Sequence, residues 1–421
     1  MASRRSARGP DLIRHGKLKR SRPIFGILQL IGIAIVVIAL SATSIGGVAI
    51  LSTFSHIQKG VHLSHIRGTN EPVPQVGAVT GAVNILLTGS DTRAGQNGFQ
   101  DSADLRASSG TGNNDVTMVM HISADHQHAT VVSIPRDLLV SIPACPRANG
   151  GYTGATTLSM FNTTLSRGGL SCTVLTAEKL TGLDIQYAAE ISFDGVIQMS
   201  NAVGGVTVCL ATALKDPYVG LNLPAGQQTL EGAQALAFLR SRHGVGDGSD
   251  LGRISDQQLF LSSLMRKITS AGVLSNPITL YNLANAAVDN MQLSDTLTAP
   301  TTMVAIAAAL KSIPLANIIF VEWPTASNAA YPGRVVASQP ADSILSSALD
   351  HDQAVVLAGG TGRATVTAPS DLTTASPTGS ATSTPTATPT PSGGTVTLPS
   401  NVTGQTAAQQ TCAVGFLQKK P

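Results

Sequence analysis

VNILLTGSDTR, residues 83–93, passes from an apolar run into a turn and then into two charges, Asp91 and Arg93. A short β-branched and aliphatic run that stops at Gly and Ser reads as a buried strand. Two later runs have the same character: VTMVMHIS at 116–123, with Asp115 just before it, and ATVVSIPRDLLVSI at 129–142, which contains Arg136 and Asp137. Between the first two lies AGQNGFQDSADLRASSGTGNN (94–114), which reads as a mobile polar loop. TAEKLTG (176–182) and FDGVIQMSNAVGG (193–205) read as helices closed by glycine, and GGVTVCL (204–210) as a strand. GAQALAFLRSR (232–242), RISDQQLFLSSLMRKITSAG (253–272) and TTMVAIAAALKSI (301–313) read as helices, and NIIFVEW (317–323) as a strand. In the second of these helices Ile254, Leu261, Leu264 and Ile268 keep near-helical spacing. Strands alternating with helices predict an α/β layered domain.

The chain has 421 residues, 43% of them hydrophobic, enough for a sizeable core with tails to spare. Its net charge of +3 hides an asymmetry. Residues 1–22 hold eight Lys or Arg and one acid, which leaves nineteen basic and twenty-three acidic residues for the rest. A mildly acidic body argues against nucleic acid as a partner. No charge occurs from Ile24 to Leu51, and IFGILQLIGIAIVVIAL is long enough to cross a hydrocarbon core of about 30 Å. The basic flank before it predicts a cytoplasmic segment 1–23, a single transmembrane anchor 24–51, and everything after it outside the cell membrane. Residues 52–80 read as a stalk, 81–360 as the folded domain, and 361–421 as a Ser/Thr/Pro-rich disordered tail.

All four cysteines, Cys145, Cys172, Cys209 and Cys412, fall in the exterior part, where disulfides persist. Three complete pairings exist and the sequence alone does not choose among them. Cys145 with Cys172 is favoured, because both sit in turn-rich segments flanking one predicted helix. The P-loop, the dinucleotide fingerprint, HExxH and GxSxG are all absent, which removes nucleotide hydrolysis, NAD chemistry, zincin proteolysis and α/β-hydrolase chemistry.

Charge collects at the ends of the apolar runs: Asp91, Arg93, Asp115, Arg136 and Asp137, and then Arg240, Arg242 and Arg253 within FLRSRHGVGDGSDLGR (238–253). Residues just past strand carboxyl ends converge on the ligand crevice of an α/β sheet. Several guanidinium groups in one place suit a phosphate or pyrophosphate through bidentate, charge-assisted bonds. Asp91 and Asp115 among them suit a hard cation such as Mg²⁺, which takes one or two carboxylates plus phosphate and water. Taken singly, an Arg beside an Asp is more often a solvated ion pair. Asp137 then reads as a partner of Arg136, Asp247 and Asp250 as turn or N-cap residues, and His243 as a helix-dipole partner or a general base.

NILLTGSDTR, the Asp115 strand, VVSIPRDLLVSIP, EKLTGLDIQYAAEISFDGVIQMSNAVGGVTVCL, LNLPAGQQTLEGAQALAFLRSRH and DGSDLGRISDQQLFL, in this order, resemble the LytR-CpsA-Psr family. The likeness runs from about Val83 to Lys267 and more weakly to about residue 355. It implies an α/β/α sandwich with a central mixed sheet and a long apolar pocket for a polyprenyl tail. The implied function is a phosphotransferase that moves a glycopolymer from its polyprenyl-pyrophosphate carrier to peptidoglycan through a phosphodiester. Asp91 and Asp115 then resemble the family's Mg²⁺-associated carboxylates, with Arg136 beside them in the catalytic set. Arg93, Arg136, Arg240, Arg242 and Arg253 resemble its pyrophosphate-binding arginines.

One position departs from the pattern. The family commonly has an arginine three residues after the one matching Arg253, and this chain has Asp256. The plainer reading is an acid favoured in a helix's first turn, but neighbours at i and i+3 on a helix also admit an Asp256–Arg253 pair that draws charge away from a phosphate. On that reading a non-catalytic binding or regulatory paralogue competes with the ligase, and a lipid pyrophosphatase using water as acceptor is a third possibility.

Overall fold

Val83–Ser90 forms an interior strand of a seven-stranded mixed sheet in the computed structural model, which describes residues 59–66, 81–94, 96, 112–147, 149–269, 277–368 and 394–416. The strands of the two larger sheets are numbered in chain order. They are β1 (Val83–Ser90), β2 (Asn114–Ile122), β3 (Ala129–Ser133), β4 (Tyr187–Ile191), β5 (Val206–Leu210), β6 (Gly226–Leu230), β7 (Met291–Leu293), β8 (Ile318–Glu322), β9 (Thr365–Thr367), β10 (Gly404–Thr406) and β11 (Thr411–Ala413). The helices are α1 (Thr163–Thr181), α2 (Phe193–Ala202), α3 (Gly232–Arg240), α4 (Asp250–Thr269), α5 (Pro277–Asn290), α6 (Pro300–Ser312) and α7 (Ala341–Asp350).

The main sheet runs β7-β4-β1-β2-β3-β8-β10. β4 lies parallel to β1, and β8 parallel to β3, while β2 runs antiparallel to both of its neighbours. Because side chains alternate across a strand, register sorts whole rows to one face. One row, Ala188–Leu86–Val119–Val132–Val321, crosses five strands, and every member is fully buried. It packs beneath α1 and α7 through Leu170, Val174, Ala177, Leu345 and Ala348. The opposite row, Tyr187–Ile85–Met120–Val131–Phe320, packs with Leu261 and Met265 of α4 and with Met303 and Ile306 of α6. Helices on both faces make the three-layer sandwich, and each buried aliphatic side chain contributes roughly 1.5–3 kcal/mol of transfer free energy.

α1 shows how local chemistry sets an element. It kinks at Gly168 and Gly169, whose backbone leaves the helical region, and a side chain at 168 would strike the Cβ atoms of Cys145 and Cys172 at 2.8 and 2.9 Å. The glycine therefore lets Cys145 and Cys172 meet, and they form the favoured disulfide. α1 ends, as the sequence predicts, at Gly182, which adopts φ +80° and donates its N–H to Glu178 O.

Two boundaries need correction. The proposed stalk 52–80 is not all outside the domain: Val61 N donates to Leu293 O at 2.8 Å, and Leu63 is buried in the first core. His65 Nδ1 lies 2.7 Å from Glu178 Oε1, and Ile66 N and Ile185 N donate to the same carboxylate, so a buried acid fastens this segment to α1. The proposed disordered tail 361–421 also contains structure. Residues 365–367, 395–398, 404–406 and 411–413 are strands; β10 completes the edge of the main sheet, and β9 and β11 belong to a second sheet, β6-β5-β11-β9. Cys412 sits in register with Cys209 of β5 and is disulfide-bonded to it. Low hydrophobicity in the segment concealed this, because its strands complete sheets built by the rest of the chain rather than a core of their own. The segments 1–23, 24–51, 97–111 and 369–393 lie outside the described residues. Among the described residues no helix is long and apolar enough to cross a membrane.

Candidate functional site

β1, β3, β4 and β8 share one direction, so their carboxyl ends emerge on the same edge of the sheet, beside the amino end of antiparallel β2. Asp91 and Arg93 follow β1, Asp115 opens β2, and Arg136 follows β3. Arg240 closes α3, Arg242 follows it, and Arg253 rises from the first turn of α4. The convergence expected from the sequence therefore occurs.

Asp115 is the electrostatic centre. Its Oδ1 accepts from Arg136 Nη1 at 2.5 Å, its Oδ2 lies 4.0 Å from Arg253 Nη1, and its backbone carbonyl accepts from Arg253 Nη2 at 2.8 Å. Arg136 is a stronger base than usual: burial lowers its pKa, but Asp115, Asp137, Asp250 and Asp91 together outweigh that. Asp91 is held by Asn113, whose N–H donates to Oδ1 at 2.6 Å. Its carboxyl is pushed up, first by burial and then by Asp115, against the pull of Asn113, Arg136 and Arg93. Arg240 stacks over Phe193, with its Cζ 4.4 Å from the ring centroid. Burial and the like charges of Arg93 and Arg253 pull its pKa down, against Asp115 and Asp91. Crowded guanidinium groups of this kind favour an incoming anion, whose charge relieves their repulsion.

Arg242 joins through a device that sequence reasoning missed. Asp216, 1% exposed, accepts at Oδ2 from Ser241 Oγ, Arg242 N, His243 N and Gly244 N at 2.9–3.1 Å, and at Oδ1 from Tyr218 N. Burial pushes its pKa up, but these donors overcome it and hold the carboxyl below its ordinary range. The residue was not singled out because KDPYVG (215–220) reads as an ordinary turn.

Other expectations shift. Asp137 pairs with Arg334 at 2.6 Å, and Arg136 Nε lies 3.8 Å away, so its main partner comes from a distant loop. Asp247 behaves as a turn residue, accepting from Ser249 N. The cap reading of Asp250 fails: Ser249 Oγ accepts from Gly252 N, while Asp250 Oδ1 lies 2.6 Å from Arg253 Nη2 in the first turn. His243 is exposed and packs against Tyr218 in a tilted arrangement, with ring centroids 4.6 Å apart. Asp256 is corrected outright. It makes no ion pair with Arg253; it is fully buried, neither carboxylate oxygen has a hydrogen-bond partner, and burial raises its pKa well above the usual range. The helix turns this side chain into the packing, away from the guanidinium groups.

Asp91 and Asp115 lie on one sheet edge within electrostatic reach of each other, with burial first and Asp115 second in raising the Asp91 carboxyl; two such carboxylates are the kind of donor pair a hard divalent cation takes.

The LytR_cpsA_psr family model matches residues 50–346, a span that holds every residue of this cluster. The chain belongs to the LytR-CpsA-Psr family. Among relatives, the cell wall biosynthesis protein LcpA of Corynebacterium glutamicum is 33% identical over 270 residues, covering 59% of this chain and 51% of that protein. A polyisoprenyl-teichoic acid–peptidoglycan teichoic acid transferase, TagU of Oceanobacillus iheyensis, is 34% identical over 191 residues, covering 45% of this chain and 52% of that protein. The chain thus spans about half the length of these curated relatives. The structure of a LytR-Csp2A-Psr enzyme from Actinomyces oris has a TM-score of 0.50 at 21% identity, covering 69% of this chain and 96% of that one, and shares the LytR-CpsA-Psr fold.

Proposed function

We propose that this LytR-CpsA-Psr protein is a cell-wall phosphotransferase that moves a glycopolymer from a polyprenyl-pyrophosphate carrier to peptidoglycan through a phosphodiester. The observation that carries the reading is the gathering of Arg93, Arg136, Arg240, Arg242 and Arg253 around Asp91 and Asp115 on one sheet edge. Arg242 enters this set through its influence on Asp250. The names of the cell wall and teichoic acid relatives support the same reaction class. A polyprenyl tail has a matching surface. Leu87 lies in the middle of β1, an interior strand, between Met118 and Ala189 in register, and is nevertheless 37% exposed. An open aliphatic residue at that position leaves room above the sheet, with Val116 and Met120 at its margin.

In this reading Arg93, Arg240 and Arg242 bind the pyrophosphate, and Arg136 and Arg253 hold Asp115 in place. Positioning and charge stabilisation carry most of phosphoryl transfer. The acceptor hydroxyl attacks the sugar-linked phosphorus in line, the bond to the bridging oxygen breaks, and polyprenyl phosphate leaves. Mg²⁺ held by Asp91 and Asp115 would neutralise charge on the phosphates. Residues 24–51 would anchor the chain with its domain outside the cell membrane, a compartment in which both disulfides persist. The feature that favoured a non-catalytic paralogue, an Asp256–Arg253 pair, is absent from the described residues.

The test uses the full-length protein, a polyprenyl-pyrophosphoryl sugar and peptidoglycan fragments, with and without Mg²⁺. Linked product should form and should fall by roughly a hundredfold in Arg240→Ala and Asp115→Ala, the scale of losing one charged transition-state contact. Carrier cleavage without linked product would replace the ligase with a pyrophosphatase. Binding without cleavage would leave only a binding module.

A further inference from the structure

At the other end of the parallel strands, away from the arginines, the sheet carries a second row in register, Asn84–His121–Thr130–Ile319–Thr406. Its β3, β8 and β10 members form part of the lining of a cavity of about 460 Å³, a size within the roughly 300–1,000 Å³ typical of small-ligand pockets. The opposite wall comes from Ala354–Leu357, and the rim from Thr395 of the strand parallel to it, Gln409 and Asn317. Much of the enclosure is therefore built by the C-terminal strands.

The polar groups of this region are unevenly satisfied. His121, in the same row but outside the lining, is saturated by Asn84 at 2.7 Å and Asp352 at 3.0 Å. His128, 4% exposed, has no hydrogen-bond partner at either ring nitrogen; the nearest acid, Asp125, lies 3.9 Å from Nδ1. Thr130 Oγ1, fully buried beside it, is likewise without a partner. Buried polar atoms of this kind are rare and call for a ligand or solvent partner. Burial lowers the pKa of His128, with His121 adding to that and Asp352 and Asp125 opposing it, so its imidazole is neutral near pH 7.

We propose that this cavity is a second ligand site and that it takes an uncharged sugar unit. No Lys, Arg, Asp or Glu lines it, so it offers an anion or a cation no counter-charge. A neutral imidazole presents one donor and one acceptor, and a sugar hydroxyl serves either in whichever tautomer obtains. The C–H faces of a pyranose match the aliphatic patch of Ile319, Val355 and Leu357. A purely apolar ligand would leave His128 and Thr130 unpaired. The inference stands independently of the transferase reading, because it concerns the opposite sheet edge and none of the same side chains.

The test is a titration of full-length protein, labelled with ¹⁵N-histidine and held in a detergent without a sugar head group, with glucose, galactose and N-acetylglucosamine. Glucuronate is the charged control, and His128→Gln assigns the ring signals. At least one neutral sugar should shift the His128 ring nitrogens saturably. Thr130→Val should weaken that binding by up to roughly tenfold, the scale of one hydrogen bond, and Thr395→Trp, a change at an exposed rim position, should block it. The proposal is overturned if no neutral sugar gives a saturable shift, if glucuronate binds as tightly, or if a filled rim leaves the binding unchanged.

Discussion

Replacing Asp216 by asparagine isolates the role of the loop that carries Arg242. The exchange keeps size and shape but removes the charge that four donors share on Oδ2 and a fifth meets on Oδ1. A hydrogen bond to a charged group contributes about 1.5–3 kcal/mol and a neutral one roughly half as much. Halving four of them would cost about 3–6 kcal/mol if the bonds were independent; because the loop relaxes as a unit, about 3 kcal/mol is expected. Thermal unfolding should fall by several degrees. The pH dependence supplies a sign. The carboxyl is held below its ordinary value in the folded state, so its stabilisation is present above about pH 3.9, the unfolded value, and is lost as pH falls through the folded one. Asp216→Asn should lack that acid-side loss. Linked-product formation, measured well below the unfolding temperature, should drop between about ten- and a hundredfold, since small displacements of positioning groups have effects of that size. Unchanged turnover in a destabilised variant would refute the positioning role. An unchanged unfolding temperature would refute the hydrogen-bond argument itself.

Three further outcomes are expected. Burial pushes Glu322 up to about 7, against Arg363 and Thr403, so the folded state loses stability as pH rises from about 4.5 to about 7, by about 3 kcal/mol in all; Glu322→Gln should flatten that slope in denaturant titrations. Glu190, also pushed to about 7 by burial, should keep part of the slope in the variant. Replacing Cys209 and Cys412 by serine opens a link across 203 positions and should lower unfolding free energy by about 5 kcal/mol on the chain-entropy account, against about 3.5 kcal/mol for Cys145–Cys172, read from urea midpoints. Asp256→Asn should leave transferase turnover within about twofold, because burial alone perturbs this side chain and neither of its oxygens has a partner; a larger change would show coupling to the arginine cluster.

The amino-acid sequence determined the elements that act locally. β1, β2 and β3 were legible because their apolar runs are too short for helices and stop at turn residues, and α1 was legible at Gly182 because a left-handed cap favours glycine. The gathering of the seven candidate site residues was legible for a related reason: charge is scarce in this chain and collects where strands end. Tertiary structure decided whatever depended on distant partners. Only the fold makes Asp216 a hub for Arg242, gives Asp137 to Arg334 and turns Asp256 into the packing. A side chain's partner is set by register and helix phase across the whole domain, which local composition does not encode. The C-terminal strands belong to the same class: GQT and TCA look like tail until β8, β5 and Cys209 supply the edges and the thiol that receive them. A strand's stability lies in its pairing, so a segment without its partners in view is indistinguishable from disorder.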